Sequence, residues 1–523
     1  MHEPGTGRTH MTQHASAANT KPEPPYILAL DVGTSSTRAL LFDATGKALP
    51  NVLSQRTYKL TLSNEGEVSV DPDSLVAIVA QTIDDVLAMA GPSAEHIVAV
   101  AIDTFWHGLM GVDAGNHPLT PLILWEDTRP HGAALELRQQ LIEETIHART
   151  GARLHASYWP AKLRWLATQE PETFSSVSQW ISFGEYLYRR FLGSSVCSLS
   201  MASGTGMLNT RARDWDTELV EVLDVRPEQL PPLGDLHESV KGLTPAYASA
   251  WPALHSIPWF PATGDGAAAC AGSGCASLEN WSLTIGTSSA MRVVLPPEQV
   301  IPPLGLWLYL IDARRAVLGG ALSEGGNLLA WLDRVLALPS LAEVDDLVAA
   351  VPPDSHGLTI LPFISGERSL GWHADARMTI SGIQAHISPA DLLRAGMEAL
   401  AYQLDALCEQ LCRALQTEKT LPKIIGSGGA LLSSVTLGHI IADTLGVPIY
   451  PSLDHEASAR GAALLALEAM GILPDVAQVR PHLNQPIKPV AANHAVYRKG
   501  AERQHKLYQA LLEGRPGSFV NSS

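Results

Sequence analysis

The sequence predicts a two-domain α/β protein made of two similar halves, and three observations support this prediction. A chain of 523 residues is too long for one ordinary hydrophobic core, and its 46% hydrophobic content can fill two. Residues 31–42, DVGTSSTRALLF, have the pattern of a strand, a tight Gly-Thr-Ser-Ser turn and a second strand. Residues 284–294, TIGTSSAMRVV, repeat this pattern in the second half, which is therefore expected to resemble the first.

The two Gly-Thr-Ser-Ser turns have the composition of a phosphate-binding loop. Glycine lets the backbone bend and approach a ligand closely, while the hydroxyl and turn N–H groups donate toward one point. A single copy is equally consistent with a β-hairpin that has a polar tip. Because the turn recurs at the corresponding place in the second half, phosphate binding is favoured. The residues predicted to bind are Gly33, Thr34, Ser35, Gly286, Thr287 and Ser288.

The composition indicates which kinds of partner are disfavoured and which cellular compartment is expected. A net charge of −17 argues against nucleic acid or an anionic membrane as the main partner, since both require positive charge. ATP is not excluded, because it needs only a local cluster of donors and a metal ion. Five cysteines in apolar or small-residue surroundings indicate buried thiols in a reducing compartment. With no long apolar run and no signal-peptide core, we expect a soluble, cytoplasmic protein, with a homodimer as a possible assembly.

Several motifs, in order, resemble those of the FGGY carbohydrate kinases of the actin-like ATPase superfamily. They are the paired turns, Asp31 before the first turn, Gly264-Asp265-Gly266 and Gly426-Ser-Gly-Gly429. The resemblance runs from about residue 26 to residue 471 and implies a two-domain, ribonuclease-H-like fold with ATP in the cleft between the domains. The expected division is a disordered tail at 1–25, an N-terminal, sugar-binding domain at 26–265, a C-terminal, nucleotide-binding domain at 266–515 and a tail at 516–523.

Between these motifs, the hydrophobic pattern predicts strands and helices. Asp71-Pro-Asp-Ser74 supplies a cap for a helix at about 74–89, and residues 97–102, IVAVAI, are short and apolar enough for a buried strand. The later predicted elements are a helix through 331–336, a helix at 389–415, a strand, glycine turn and helix at 424–434, a strand at 446–450, a small-residue helix at 456–466 and a polar helix at about 492–513.

The residues that follow the predicted strand at 97–102 form a candidate sugar site. Polar side chains at the end of a buried strand commonly face a ligand crevice. His107 can donate to a sugar hydroxyl and Trp106 can offer a flat face, although spacing alone favours a structural histidine. The resemblance implies substrate contact, because sugar kinases of the family often carry Met-His-Gly here. Trp106 replaces the methionine, so the shape of the pocket is expected to differ.

A second candidate segment is Leu122 to Arg129. Trp125, Asp127 and Arg129 occupy alternate positions, so an extended chain would place them on one face. A tryptophan beside a structural Asp-Arg pair and direct substrate contact are both consistent with this spacing. The resemblance implies that Trp125 and Asp127 border the sugar site.

Asp265 is the candidate for the reacting centre. A carboxylate between two glycines and before small residues is typical of a helix N-terminus with an uncrowded approach, and an N-cap aspartate is the alternative. Phosphoryl transfer needs a group that accepts the hydroxyl proton, together with donors and Mg²⁺ on the phosphoryl group. The resemblance implies that Asp265 is this base and contacts substrate, while Asp31 holds the metal directly or through water. The further ATP-binding residues it implies are Ser36, Arg38, Gly428 and Gly429.

The predicted activity is transfer of the γ-phosphoryl group of ATP to a small open-chain sugar or sugar acid. Arg292 and the segments around residues 107–113 and 203–216 most resemble the corresponding parts of gluconokinases. A cationic side chain such as that of Arg292 could bind an aldonate carboxylate. The prediction is therefore D-gluconate, with xylulose or another ketose or polyol as the alternative. Two alternatives are not kinases. A catalytically silent sugar sensor would have lost a residue needed for catalysis, whereas Asp31, both turns and Asp265 are present. A filament-forming relative of actin would not need the candidate sugar-site segments.

Overall fold

The structure, a computed structural model, describes residues 21–336, 341–417 and 422–513. The expected tail at 1–25 lies outside these residues as far as residue 20, and the expected tail at 516–523 lies wholly outside them. Two sheets form the centres of the two halves.

The first sheet combines a hairpin with parallel strands. Its strands are β1 (Tyr26–Val32), β2 (Ser36–Asp43), β3 (Ala48–Thr57), β4 (Ile97–Thr104) and β5 (Thr263–Gly264), in the spatial order β5-β4-β1-β2-β3. β1, β2 and β3 are antiparallel neighbours, whereas β4 and β5 join in parallel on the other side of β1. The strand predicted at 97–102 is β4, and it extends two residues further to end at Thr104.

The second sheet repeats this arrangement. Its strands are β6 (Asn280–Ile285), β7 (Ser289–Leu295), β8 (Trp307–Leu310), β9 (Ala316–Leu322), β10 (Lys423–Ser427) and β11 (Ile449–Pro451), in the spatial order β8-β9-β7-β6-β10-β11. β6, β7 and β9 are antiparallel neighbours, and β10 and β11 follow in parallel on the other side of β6. β8 is an additional edge strand. The prediction of two similar α/β halves is therefore confirmed.

The main helices are α1 (Pro72–Ala90), α2 (Asp265–Gly272), α3 (Gly326–Leu336), α4 (Pro389–Leu415), α5 (Ala457–Ala469) and α6 (Ala491–Tyr508). α1 begins after Asp71, whose side chain accepts a hydrogen bond from the N–H of Ser74 at 2.7 Å, as the capping sequence predicts. By length and composition alone, residues 72–96 could span a membrane. In the structure, α1 places Leu75, Val79 and Ile83 in the core beside β2 and β3.

Smaller elements complete the two halves. The short strands are Thr61–Leu62, Val68–Val70, Met110–Val112, Leu122–Ile123, Gln179–Ile181, Cys197–Ser198, Leu208–Asn209, Asp214–Trp215, Leu233–Gly234, Thr359–Leu361 and Thr379–Ser381. The other helices are His131–Gln140, Glu143–Thr150, Trp159–Gln169, Pro171–Ser176, Phe183–Leu192, Leu199–Gly204, Thr217–Val222, Pro245–Ala250, Leu341–Ala349, Gly429–Ser433 and Val435–Leu445. All five cysteines are buried, as predicted, and no disulfide joins any two of them in the described part of the chain.

Helix α5, from the second half of the chain, packs against the first sheet. It contacts β1 and β4 and crosses α2 at very short range. A Cβ on Gly461 would lie 1.7 Å from the carbonyl oxygen of Ala268, and one on Gly272 would lie 1.8 Å from that of Ala457. The small residues of this segment are therefore architectural, as predicted, because only glycine allows the two backbones to meet.

We expect Gly461→Ala to lower the free energy of unfolding by about 1–3 kcal/mol, because the added methyl group overlaps the carbonyl of Ala268. Thermal denaturation followed by circular dichroism measures the change. The matched control is Gly132→Ala, in an exposed part of the helix His131–Gln140 where an added Cβ meets nothing within 4 Å. This control should be neutral or slightly more stable, since alanine favours a helix. Equal melting temperatures for Gly461→Ala and the wild type would contradict the close crossing of α2 and α5.

Candidate functional site

The two Gly-Thr-Ser-Ser turns face open space. The first is closed by a hydrogen bond from the N–H of Gly33 to the carbonyl of Ser36 at 3.0 Å, and the second by one from Gly286 to Ser288 at 2.9 Å. A Cβ on Gly33 would meet no protein atom within 3.6 Å, and one on Gly286 none within 4.0 Å, apart from chain neighbours. A ligand can therefore approach both turns along the glycine backbone.

The start of α3 supports the second turn. The N–H of Gly326 donates to the carbonyl of Gly286 at 2.7 Å, and the N–H of Asn327 donates to that of Thr287 at 3.0 Å. The turn is thus held by backbone hydrogen bonds from the next loop along the sheet edge. The sequence predicts the helix here but not this supporting contact.

The glycine turn after β10 lies directly against the second phosphate turn. Gly428 has a φ of 93° and its Cβ would lie 2.3 Å from the carbonyl oxygen of Ile285, so only glycine fits there. At Gly429, an added Cβ meets nothing within 4 Å. The structure therefore brings Gly429 to an open surface beside the turn, as a flat base or ribose would require. Its role in ATP binding stays a prediction.

Three carboxylates converge at the ends of the parallel strands of the first sheet. Asp31 on β1 lies in register with Asp103 on β4, and Asp103 lies in register with Thr263, two residues before Asp265. Because carboxyl ends of parallel strands meet at one edge, these side chains share one site. Asp31 and Asp265 are predicted from the sequence, whereas Asp103 is not assigned a role there. Its position at the end of a buried strand is the signal that could have identified it.

Asp31 and Asp103 differ in what compensates their charge. Asp31 accepts a hydrogen bond from Nη1 of Arg38 at 3.0 Å; burial raises the pKa of Asp31 and the guanidinium opposes this rise. Asp103 is fully buried, and neither of its carboxylate oxygens has a hydrogen-bond donor among the described residues. Burial raises the pKa of Asp103 well above its ordinary value, and the charges of Asp31 and Asp265 raise it further.

Asp265 is the first residue of α2, and it is not the cap. The cap position is Gly264, and Oδ1 of Asp265 accepts a hydrogen bond from the N–H of Gly266 at 2.7 Å. Burial raises the pKa of Asp265 to about 6, and the charge of Arg292 opposes this rise. The group is therefore mostly ionised at pH 7 while remaining basic enough to accept a proton.

Trp106 forms the wall beside Asp265. Its ring fills the space above two glycines, so that a Cβ would lie 1.9 Å from the ring at Gly264 and 2.6 Å from it at Gly266. The indole N–H donates to the carbonyl of Ser200 at 3.0 Å. The ring of Tyr309 lies 4.9 Å away. Since its N–H is already used, Trp106 can offer a substrate only its apolar surface.

His107 is held as a neutral hydrogen-bond acceptor. It has a φ of 69°, its Nδ1 contacts the carbonyl oxygen of Gly204, and burial lowers its pKa to about 3. A carbonyl oxygen only accepts, so Nδ1 carries the proton and Nε2 is left to accept. The sequence predicts that His107 donates to a sugar hydroxyl; the structure corrects this, because the one N–H of the neutral ring is occupied. Lys162 supports the loop by donating to the carbonyl of His107 at 2.7 Å.

The segment from Trp125 to Arg129 begins with a turn and is not an extended strand, so the alternation of a strand does not apply to its side chains. Asp127 accepts from the guanidinium of Arg129 at 2.7 Å and from the N–H of Val68 at 3.1 Å, as in the structural-pair interpretation. The indole N–H of Trp125 reaches Oγ1 of Thr34 in the first phosphate turn at 3.3 Å. Trp125 thus lies at the cleft, and a substrate role for Asp127 stays a prediction.

Two arginines of the second half face the predicted sugar site. Nε of Arg292 lies 3.2 Å from the place a Cβ would take on Gly266, next to Asp265. The guanidinium of Arg368 lies 4.8 Å from the centre of the Trp125 ring. Both Nε atoms are buried and have no hydrogen-bond partner among the described residues. Burial lowers the pKa of Arg368, and the nearby charge of Arg292 lowers it further.

The neighbouring Glu367 serves a different purpose. Its carboxylate accepts from the hydroxyl of Tyr508 at 2.9 Å, which fixes the loop to the C-terminal helix α6. From sequence alone, the adjacent Glu367 and Arg368 are equally consistent with a pair that locks a loop and with one that contacts ligand. The structure divides the roles, since Glu367 holds the loop while Arg368 faces the cleft.

One further cluster has metal-ligand geometry but a different function. Asp354, His356 and Glu398 bring three ligand atoms within 4.8 Å of one another. Glu398 is already bound by His356 at 3.0 Å and by Arg394 at 2.7 Å, and Arg503 pairs with Asp354. This cluster is an ion-pair network that joins α4 to α6.

Comparison with known proteins agrees with this architecture. Residues 26–272 match the N-terminal domain, and residues 281–470 the C-terminal domain, of the FGGY family of carbohydrate kinases. A gluconokinase of Bacillus subtilis is 25% identical over 85% of this chain and 88% of its own length. A glycerol kinase of Polaromonas naphthalenivorans is 30% identical over 86% of this chain and 91% of its own length. The solved, ligand-bound xylulose kinase of Lactobacillus acidophilus matches with a TM-score of 0.86 and 25% identity, over 94% of this chain and 99% of that one.

Proposed function

The chain belongs to the FGGY family of carbohydrate kinases, and on this basis we propose that it phosphorylates D-gluconate, with ATP as the donor, to give 6-phosphogluconate. The fold is the two-domain, actin-like ATPase fold that the resemblance implies. ATP-dependent phosphorylation of a carbohydrate follows from membership of the family. The choice of a sugar acid, and the role of each residue, are the parts that are proposed.

The nucleotide is proposed to lie between the two phosphate turns, with its adenosine against Gly428 and Gly429. Thr34, Ser35, Ser36, Thr287 and Ser288 supply hydroxyl and backbone donors for the phosphates. Arg38 orients the carboxylate of Asp31 through their 3.0 Å hydrogen bond. Donors that are fixed before the reaction stabilise the charge on the moving phosphoryl group without reorganisation.

The acidic site also fits Mg²⁺. Hard cations prefer carboxylate oxygens, and Asp31 lies at the first turn beside Asp103, whose two oxygens have no hydrogen-bond donor among the described residues. When bound, the ion supplies charge neutralisation on the phosphate oxygens of ATP. Asp31 is the residue proposed to hold it, directly or through water.

Asp265 is the proposed general base. Its carboxylate accepts the proton of the attacking hydroxyl as the new oxygen–phosphorus bond forms, and ADP leaves. Trp106 excludes water from one side of this carboxylate, and Nε2 of neutral His107 accepts a hydrogen bond from another substrate hydroxyl. Exclusion of water matters because water competes with the sugar as the acceptor.

The observation that supports an acidic substrate is the positive charge of two arginines close to the base. Arg292 and Arg368 each have a buried Nε without a hydrogen-bond partner in the described part of the chain, and Arg368 lies over the ring of Trp125. Buried cations are normally paired, so the substrate is expected to supply a carboxylate here. A neutral ketose or glycerol would supply no opposite charge to either guanidinium group.

The test is ADP release by the purified protein with Mg²⁺ and ATP across gluconate, xylulose, ribulose, glycerol and fuculose. Highest kcat/KM with gluconate is the expected result. A neutral sugar as the best substrate would retain the kinase and refute the sugar acid. No turnover with any of the five would refute the proposed substrate and require a wider panel of sugar acids.

We expect the pH profile of kcat/KM to report Asp265. Since burial raises the pKa of Asp265 to about 6, the ionised base is lost below that pH, and kcat/KM should fall about tenfold per pH unit there. Above pH 7 the profile should level off. A limb centred near pH 4 would contradict a buried base.

A matched control for this profile is Asp405→Asn. Burial raises the pKa of Asp405 to about 6 as well, but this residue pairs with Arg498 on α6, away from the cleft. The acid limb of the Asp405→Asn variant should therefore be unchanged. A displaced limb in this variant would mean that the limb reports folding instead of the base.

A further inference from the structure

Asp103 is a buried carboxyl group, and among its charged neighbours only the more weakly acting Arg38 opposes the two nearby carboxylates. It is 0% exposed, and neither carboxylate oxygen has a donor within hydrogen-bonding distance among the described residues. Arg38 neutralises Asp31, and Arg292 lies beside Asp265, but the charged neighbours that act most strongly on Asp103 are those two carboxylates. Burial of an ionised carboxylate without a hydrogen-bond donor is unfavourable, so such a group indicates a bound proton or a ligand that the described residues do not supply.

The position of Asp103 shows where such compensation would come from. Asp103 and Asp31 are register partners on adjacent parallel strands, which lie about 4.8 Å apart, so their side chains project on the same face. Asp265 follows β5 on the other side of Asp103. The carboxyl group of Asp103 therefore lies between the proposed metal-binding carboxylate and the proposed base.

We propose that Asp103 is a second protein ligand, beside Asp31, for the divalent cation that accompanies ATP. Two carboxylates from neighbouring strands supply the hard oxygen ligands that Mg²⁺ and Mn²⁺ prefer. A divalent cation satisfies the free oxygens of Asp103 and removes the repulsion between Asp103 and Asp31. The alternative is a proton shared between the two carboxylates, which would give Asp103 a purely structural role. This inference rests on the nucleotide site of the proposed function but is independent of which sugar is phosphorylated.

The experiment is titration of the full-length protein with Mn²⁺ in the presence of ADP, without sugar. Electron paramagnetic resonance measures free Mn²⁺ directly, so the readout does not depend on catalysis. Asp103→Asn keeps the size of the side chain and removes its charge. We expect it to weaken Mn²⁺ binding about tenfold or more, in the range seen when groups around a metal are removed. Binding of ADP without metal, measured by calorimetry, should be unchanged.

Two further variants make the result interpretable. Asp405→Asn removes another buried carboxylate, one that pairs with Arg498 away from the cleft, and should leave Mn²⁺ affinity unchanged. Asp103→Ser replaces the carboxylate by a smaller, neutral side chain, and it should weaken Mn²⁺ binding as Asp103→Asn does. Unchanged Mn²⁺ affinity in a folded Asp103 variant would overturn the proposal in favour of the shared proton. A wild-type protein that binds neither ADP nor Mn²⁺ would overturn it together with the proposed nucleotide site.

Discussion

Asp265→Asn is expected to lower kcat by about 10²–10⁴ while leaving ADP affinity and the melting temperature nearly unchanged. The substitution preserves the size of the side chain and the oxygen that accepts from Gly266 at 2.7 Å, so the start of α2 should be retained. What it removes is the only property assigned to Asp265 in the reaction, the capacity to accept the hydroxyl proton. Steady-state kinetics and calorimetry with ADP measure the two effects separately.

The changes in kcat, KM and kcat/KM distinguish a catalytic base from a residue that only binds the substrate. A residue that acts mainly in the transition state should lower kcat and kcat/KM together, whereas a residue that binds the substrate uniformly raises KM alone. Asp405→Asn is the control, because it also removes a buried carboxylate whose pKa burial raises to about 6. This carboxylate lies between α4 and α6, where it pairs with Arg498. Near-normal kcat in Asp265→Asn, with ADP binding intact, would remove Asp265 from the mechanism.

The sequence was sufficient for the parts of the molecule that local pattern determines. Both Gly-Thr-Ser-Ser turns lie between antiparallel strands, because a tight turn between two apolar runs has few other solutions. α4 spans Pro389–Leu415, as its apolar spacing and the capping residue Ser388 indicate. Apart from the additional edge strand β8, the second sheet has the same strand order as the first, in agreement with the repeated turn in the sequence.

The contents of the cleft could not be predicted in the same way, because they depend on contacts between distant residues. The tautomer of His107 is set by the carbonyl of Gly204, and the orientation of Trp106 by the glycines around Asp265. No spacing rule connects these positions. The alternate spacing of Trp125, Asp127 and Arg129 suggests an extended segment, but the structure has a turn here. The carboxylate of Asp127 accepts hydrogen bonds from Arg129 and from the distant N–H of Val68, a contact that the spacing does not indicate. The predicted domain boundary at 265/266 and the cytoplasmic location stay predictions.

The second large effect is expected from Arg292→Met, which should lower kcat/KM for gluconate by about 10²-fold or more and change that for xylulose only a few-fold. Loss of one partner from a buried ion pair costs about 3–5 kcal/mol, and each 1.4 kcal/mol corresponds to tenfold in rate. Methionine is unbranched and retains most of the length of the arginine stem, so the contact beside Gly266 should persist. Arg292 also opposes the rise in the pKa of Asp265, and this effect would act on every substrate.

The two consequences of removing Arg292 are separated by measuring both substrates at pH 8. Any further rise in the pKa of Asp265 acts equally on both substrates, so a difference between the losses for gluconate and xylulose reports contact with the carboxylate. Arg498→Met removes an arginine that pairs with Asp405 on the surface of α6 and should affect neither substrate. Arg292→Lys restores the charge without the planar fork and is expected to recover only part of the gluconate activity. Equal losses on both substrates at pH 8 would place Arg292 in the support of Asp265, and the specificity for a sugar acid would then have to rest on Arg368.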